Sequence, residues 1–369
     1  MAHTIPISRP DLTGREEEYL RECVRSGWVS SIGPFVERFE HEFAAFCGHK
    51  YGISANSGTA AIHLALRVLG VGPGDEVVVP ALTFASAANC VLYQGAIPVF
   101  VDCRPDNWNL DVAQLESLIT KRTAAILPVH LYGLPCRMDE IMDVASRHDI
   151  PVVEDCAEAH GAKFKGEPVG GFGAVGCFSF YGNKIITTGE GGMCVTSDGA
   201  LVDQLRVLRD HGMNKSRRYW HDDVGYNYRM TNLQAAVGCA QLERSGELVA
   251  RRRWIANAYQ QRLKSSPLQL PADSPEAYNV YWLYTVILPQ GFTESQRDDL
   301  IQHLGKDGIE SRPFFYPLPS MPPYRQFARP VPHSESIASR GITLPTFHSL
   351  QEEDIERVTS SLLNWLGNQ

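Results

Sequence analysis

Several common chemistries are missing from this sequence. It has no CxxC pair and no His/Cys cluster at metal-ligand spacing, so neither a zinc module nor any other metal site is expected. No GxxxxGK[ST], GxSxG or HExxH occurs, which sets aside P-loop nucleotide hydrolases, α/β-hydrolase-type serine hydrolases and zinc proteases. Positive charge is scarce: 34 Lys and Arg face 42 Asp and Glu, for a net charge of −8, the opposite of what binding a phosphate backbone requires. The one basic run, Arg251 to Arg253, reads as the solvated face of a helix. The start, MAHTIPISRP, lacks a basic segment followed by an apolar one, so no signal peptide is expected. Nine scattered cysteines, an odd number, suit a reducing compartment and point to the cytoplasm. One uncharged run, residues 77–101, is long enough to span a bilayer. Pro80, Asn89, Gln94, Gly95 and Pro98 break it into strand, loop, short helix and strand, which predicts buried core instead.

What is present is the texture of an α/β protein. Short Val- and Ile-rich runs (51–55, 76–79, 97–101, 123–129, 150–153) alternate with helical patterns (59–69, 112–119, 138–147), which predicts βαβ units and a mainly parallel sheet covered by helices on both faces. Thr13 and Glu16 form a capping-box pattern ahead of a helix over 14–26, and Gly33-Pro34 opens a second running to about 47. Strands at 176–180 and 192–196 and a helix at 201–210 follow, then one long helix over 231–263. The tail reads as a strand at 281–288, a helix at 294–305, a proline-rich stretch at 313–323 and a closing helix at 353–366. The expected organisation is a large domain over residues 1–250 and a smaller α+β domain over 251–369, with the boundary near 245–265.

Three segments carry candidate chemistry. Ser54-Ala-Asn-Ser-Gly-Thr59 leaves a strand and enters a helix through small residues, so backbone N–H groups and a helix dipole face any anion there; an ordinary helix cap is the alternative. Ile150-Pro-Val-Val-Glu-Asp-Cys delivers Asp155 at the carboxyl end of a strand, where open α/β sheets bind ligands. Glu154 beside it points to the opposite face, which argues against a paired-carboxylate site. FSFYGNKIITTGEGG, residues 178–192, sets Lys184 after a strand among aromatics, hydroxyls and glycines. Gly171 to Gly176 matches GxGxxG, but a strand follows it where a dinucleotide fold needs a helix. Tyr181 and Lys184 stand one residue too close for the Tyr/Lys pair of short-chain dehydrogenases. A lysine, a strand-end carboxylate and an anion nest are together what pyridoxal phosphate needs: an amine for the Schiff base, an acid for the pyridine nitrogen and a seat for the phosphate.

These segments are also recognisable. With GPGDEVVVPALTF at 72–84 and GYNYRMTNLQAAVG at 225–238, the stretches SGTAAIHLAL at 57–66, EDCAEAHGA at 154–162 and 178–192 resemble the DegT-type sugar-nucleotide aminotransferases over nearly the whole chain. The resemblance implies the aspartate aminotransferase fold (fold type I) and pyridoxal phosphate as cofactor. It implies Lys184 as the lysine that carries the cofactor, Asp155 against the pyridinium nitrogen, and Gly58, Thr59 and Ser179 around the phosphate. It further implies Phe84 stacked on the ring, Glu158 near the phenolic oxygen, and Asn227 reaching the phosphate of the neighbouring subunit in a homodimer. Glutamate is the donor it implies and a nucleotide-diphosphate ketosugar the acceptor. Arg218, Tyr219 and Arg312 are candidates for the diphosphate, with inter-subunit packing as the alternative.

Within the family, RRYWHDDVGYNYRM at 217–230 and GIESRPFFYPLPSMPPY at 308–324 are similar to the branch that aminates C4 of GDP-4-keto-6-deoxymannose. That branch tends to have histidine where this chain has Tyr316 and Ser320, so Tyr316 is a further substrate candidate. A dTDP- or UDP-linked ketosugar, an aminocyclitol precursor and a non-catalytic regulator of the same fold stay open.

Overall fold

The computed structural model describes residues 3–369. Seven strands form the central layer: β1 Tyr51–Ala55, β2 Glu76–Pro80, β3 Ile97–Val101, β4 Thr123–Ile126, β5 Val153–Asp155, β6 Val175–Ser179 and β7 Gly192–Thr196. One ladder has the order β1-β7-β6-β5 and another β3-β2-β4; bridges Ile126 to Val152 and Val129 to Asp155 join them through β4 and β5. Only β7 runs against its neighbours, β1 and β6; the other pairings are parallel. Strand periodicity decides which layer each side chain feeds. Val77 and Val79 pack with helices Gly58–Val68 and Ser86–Tyr93, whereas Val78 between them packs with helix Met138–Arg147. Helix Pro34–Phe46 sends Phe39 and Phe43 against Phe178 and Phe180 of β6 and the turn beyond it. The uncharged run 77–101 is strand, helix and strand within this core, and no helix among the described residues is long and apolar enough to cross a membrane.

Four local expectations change. The first helix is Glu16–Ser26 and has no side-chain cap: the Thr13 hydroxyl donates to Asp11 and the buried Glu16 accepts from Gln241. A capping box does form at Thr231 and Gln234, opening helix Asn232–Glu243. The single helix expected over 231–263 breaks at Arg244 (φ −108°, ψ 9°) before a second, Ser245–Leu263, and the Ser245-Gly246 pair at the junction is the local signal of the break. Residues 112–119 make a 3₁₀ turn and one α turn rather than a helix, and the strand of the tail is Tyr284–Ile287.

The C-terminal part builds a three-stranded antiparallel sheet from β8 Tyr284–Ile287, β9 Arg312–Pro313 and β10 Gly341–Leu344, in the order β8-β10-β9, with helices Glu294–Lys306 and Glu352–Gly367. Two segments pack across the division expected at residue 250. Ile5 pairs with Ile309 and is buried with Leu300 and Leu304. In return, Leu318, Tyr324 and Val331 join the core of the large sheet, the Leu318 N–H donating to Ala81 O at 2.8 Å. Asp102, just past β3, accepts from the N–H groups of His333 and Ser334 at the start of helix Pro332–Arg340. This strap, residues 312–334, closes one side of the site with Arg312, Pro313 and Phe315.

Candidate active site

The carboxyl ends of β4, β5 and β6, helix Gly58–Val68 and the strap surround a cavity of about 420 Å³. Asp155 enters from the end of β5 and Glu158 from the turn after it, Ser179 and Lys184 from β6 and the turn beyond it, Gly58 and Thr59 from the helix start, Phe84 from the loop after β2 and Arg312 from β9. Eight of the residues named from the sequence therefore converge. Four do not line this cavity in their own chain. Tyr219 is 74% exposed, Asn227 is exposed and bridges Asp210, and Arg218 lines a separate groove with Arg206 and Arg229. Tyr316 instead lies beside the buried Arg297, whose guanidinium donates to its hydroxyl at 3.2 Å. Ser320 donates to Pro317 O, so neither position that departs from the histidine pattern lines the cavity.

Glycine makes the anion nest possible. A Cβ on Gly58 would lie 2.6 Å from the Ser179 Cβ, so the helix can start against β6 only without a side chain there; Gly192 is likewise overlaid by the Ser57 carbonyl. Ser57 caps the helix by accepting from the Ala60 N–H at 3.1 Å. The N–H groups of Gly58 and Thr59 have no hydrogen-bond partner among the described residues, and they stand at the cavity wall with the positive end of the helix dipole behind them.

The two buried carboxyl groups of the cavity are short of donors. Asp155 accepts from the Ala157 N–H at 3.0 Å, and burial raises its pKa against the pull of that bond and of Lys184. Glu158 accepts from the Tyr132 N–H at 2.7 Å, and burial pushes it up to about 7 despite the nearby Lys184. Burial lowers the Lys184 amine, opposed by Glu158 and Asp155. For Glu158 and Lys184 these are the directions that acid–base work near neutrality requires, whereas the raised Asp155 carboxyl calls for a cation to ionise it.

Glu154, one residue before Asp155, is handled differently. Its oxygens accept from the N–H groups of Gly170, Phe172 and Gly173 at 2.7–2.8 Å. His130 takes an N–H from Cys136 on Nδ1, which leaves Nε2 to donate to Glu154 at 3.2 Å. Burial alone would raise this carboxyl; the His130 bond and the loop N–H groups outweigh it and hold Glu154 below its usual range. The GxGxxG-like loop is thus a wrap around a structural carboxylate.

Sequence reasoning missed the aromatic wall. Trp282 stacks on Tyr132 (5.9 Å, 26°) and Tyr132 on Phe315 (5.3 Å, 14°), with Phe84 6.0 Å beyond. Trp282 comes from the C-terminal part and carried no local signal. Tyr132 follows β4 in His130-Leu-Tyr-Gly, where its own left-handed φ of 52° and that of Gly133 turn the chain sharply.

Fold and site together define a pyridoxal-phosphate aminotransferase of fold type I: the chain belongs to the DegT/DnrJ/EryC1/StrS aminotransferase family, whose model matches residues 10–363. It is 49% identical to the GDP-perosamine synthase of Caulobacter vibrioides, with 97% of each chain covered, and 44% identical to that of Escherichia coli O157:H7, again with 97% of each covered. Among solved structures, Spr1654 of Streptococcus pneumoniae in its PLP form superposes with a TM-score of 0.94 at 30% identity, covering 99% of both chains. DesV of S. venezuelae gives 0.92 at 36% identity, also over 99% of both.

Proposed function

We propose that this enzyme transfers the amino group of glutamate to C4 of GDP-4-keto-6-deoxymannose, forming GDP-perosamine for O-antigen or lipopolysaccharide synthesis. The observation that carries the reading is the convergence of Lys184, Asp155, Glu158 and the open N–H groups of Gly58 and Thr59 on one cavity, in a chain nearly half identical to a GDP-perosamine synthase. Bound there, pyridoxal phosphate supplies the electron-accepting ring that lets an amino group pass from an amino acid to a ketone.

The chain's own residues do the rest. Lys184 would hold the cofactor covalently, and its Nζ, when free, would carry a proton to and from the substrate; its lowered pKa keeps an unprotonated fraction available. Asp155, ionised against the ring nitrogen, holds that nitrogen protonated. Gly58, Thr59 and Ser179 would take the phosphate, Phe84 would cover the ring, and Glu158, a proton donor up to about pH 7, would stand near the phenolic oxygen. Arg312, at the cavity mouth, is placed for the nucleotide diphosphate.

The active unit in this reading is a homodimer in the cytoplasm. Val24, Ile32, Tyr219 and Val224 are exposed apolar side chains, Val224 to 79%, and this reading assigns them to contact with a second copy. Asn227, outside its own cavity, then serves the partner's phosphate, and Arg218, Tyr219 and Tyr316 extend the substrate surface. All nine cysteines are free and buried, as a reducing compartment allows.

The test is a panel of GDP-, dTDP- and UDP-linked 3-keto and 4-keto sugars with glutamate. GDP-4-keto-6-deoxymannose is expected to give the 4-amino product at the highest kcat/KM. Turnover of a dTDP- or UDP-linked ketosugar with none of the GDP substrate would reject the substrate assignment while leaving the chemistry intact.

A further inference from the structure

The Lys184 amine has an unusual neighbour. Its Nζ lies 3.6 Å from the centroid of the Trp282 ring, well inside the roughly 6 Å range of cation–π attraction and in a desolvated setting where that attraction is strongest. Among the described residues Nζ makes no hydrogen bond or ion pair, and the indole face is the close partner its charge has. The indole is held on every side. Trp282 is 4% exposed, its Nε1–H donates to Asn183 O at 2.7 Å, its backbone N–H donates to Tyr132 O at 2.9 Å, and its carbonyl accepts from the buried Arg252. Asn183 immediately precedes Lys184, so the ring is tied to the very turn that carries the lysine.

We infer that Trp282 is a positioning residue for Lys184: its indole face seats the ammonium whenever Nζ has taken up a proton and keeps it in the cavity until that proton is passed on. The inference rests on the reading of Lys184 as the cofactor lysine. Nζ accepts the proton on its lone pair and releases the same proton to the next acceptor, so nothing is oxidised and no co-reactant is consumed. Without the indole, a displaced lysine would have four freely rotating bonds and no fixed seat. The contact also sets the amine's proton affinity. The other titratable groups around it are Asp155 at the end of β5, Glu158 from the turn after it, His160 beyond them, and Tyr132, Tyr181, Glu190 and Arg312 of the same cavity wall. Of these Glu158 and Asp155 favour the ammonium; His160, which burial lowers to about 3, is neutral at working pH.

The experiment uses the cofactor-free full chain. Trace labelling with isotopic acetic anhydride across a pH series, read at Lys184 by mass spectrometry, gives the midpoint at which Nζ becomes reactive. In Trp282→Leu, which keeps an apolar wall and removes the π face, the midpoint should fall by about one pH unit, a tenfold loss of proton affinity. In Trp282→Phe, whose face is weaker but present, it should fall by less. A midpoint unchanged or raised in both variants would overturn the inference, including the case where Trp282 serves packing alone and only thermal stability drops. If the leucine variant does not fold, the phenylalanine variant decides by the same criterion. Failure of the underlying reading has a separate signature, namely a Lys184→Ala protein that still forms the wild-type visible band with pyridoxal phosphate.

Discussion

Glu154 and Asp155 are neighbours on β5, buried alike at 0% and 3% exposure, and opposite in circumstance. On one face of the strand Glu154 accepts from three loop N–H groups and a histidine, which stabilise its charge and leave it no capacity for a ligand. On the other face Asp155 accepts from a single N–H and opens into a cavity beside Glu158 and Lys184. Burial is therefore no guide to role. What separates a carboxylate that holds a fold from one that waits for a cation is how many donors the fold already provides.

That contrast can be broken from the cavity side first. Lys184→Ala should abolish glutamate-dependent amination and the visible cofactor band, the largest effect expected, and retained turnover of a purified ketosugar would refute the assignment. Asp155→Asn should keep the cofactor bound but slow turnover by about 10²-fold or more, since a neutral amide cannot hold a pyridinium nitrogen protonated. Full activity in that variant would remove Asp155 from the mechanism. On the structural face, Glu154→Gln replaces one oxygen by a donor aimed at donors. It should cost roughly 1–3 kcal/mol in stability, seen as a lower midpoint in urea, with turnover per folded molecule near wild type. Glu158 gives the smallest and most specific effect. Its folded pKa of about 7 lies above the ordinary 4.5, so the folded cofactor-free chain binds the proton more tightly and loses stability as pH rises from about 4.5 to 7. Glu158→Gln should flatten that segment of the melting-temperature profile, and an undiminished slope would place the proton elsewhere.

Much of this was legible because strand ends are legible. The strands expected from the sequence matched β1 to β3, β6 and β7 closely and met β5 only at Val153, and each proposed cofactor residue of the cavity stands at the end of an expected strand or within five residues past it, where chain order alone puts it at the carboxyl edge of the sheet. Local pattern could not find what depends on distant packing. Thr13 and Glu16 fit a capping box, but Glu16 gains more from Gln241, 225 residues away. Trp282 reaches Lys184 only because the C-terminal sheet docks on the large one, and nothing in Asn279-Val-Tyr-Trp-Leu announces a partner 98 positions earlier. Tyr316 was a substrate candidate only because the resembling branch tends to have histidine there; in its own chain it lies against Arg297 instead.

The central claim is that the donor-poor face of β5 opens on the cofactor, with Lys184 as its covalent anchor. Borohydride reduction of the purified protein loaded with pyridoxal phosphate, followed by proteolysis and mass spectrometry, tests it directly. The account predicts a pyridoxyl-phosphate mass added to the peptide containing Lys184 and to no other; stoichiometric modification of a different lysine, with Lys184 unmodified, would contradict it.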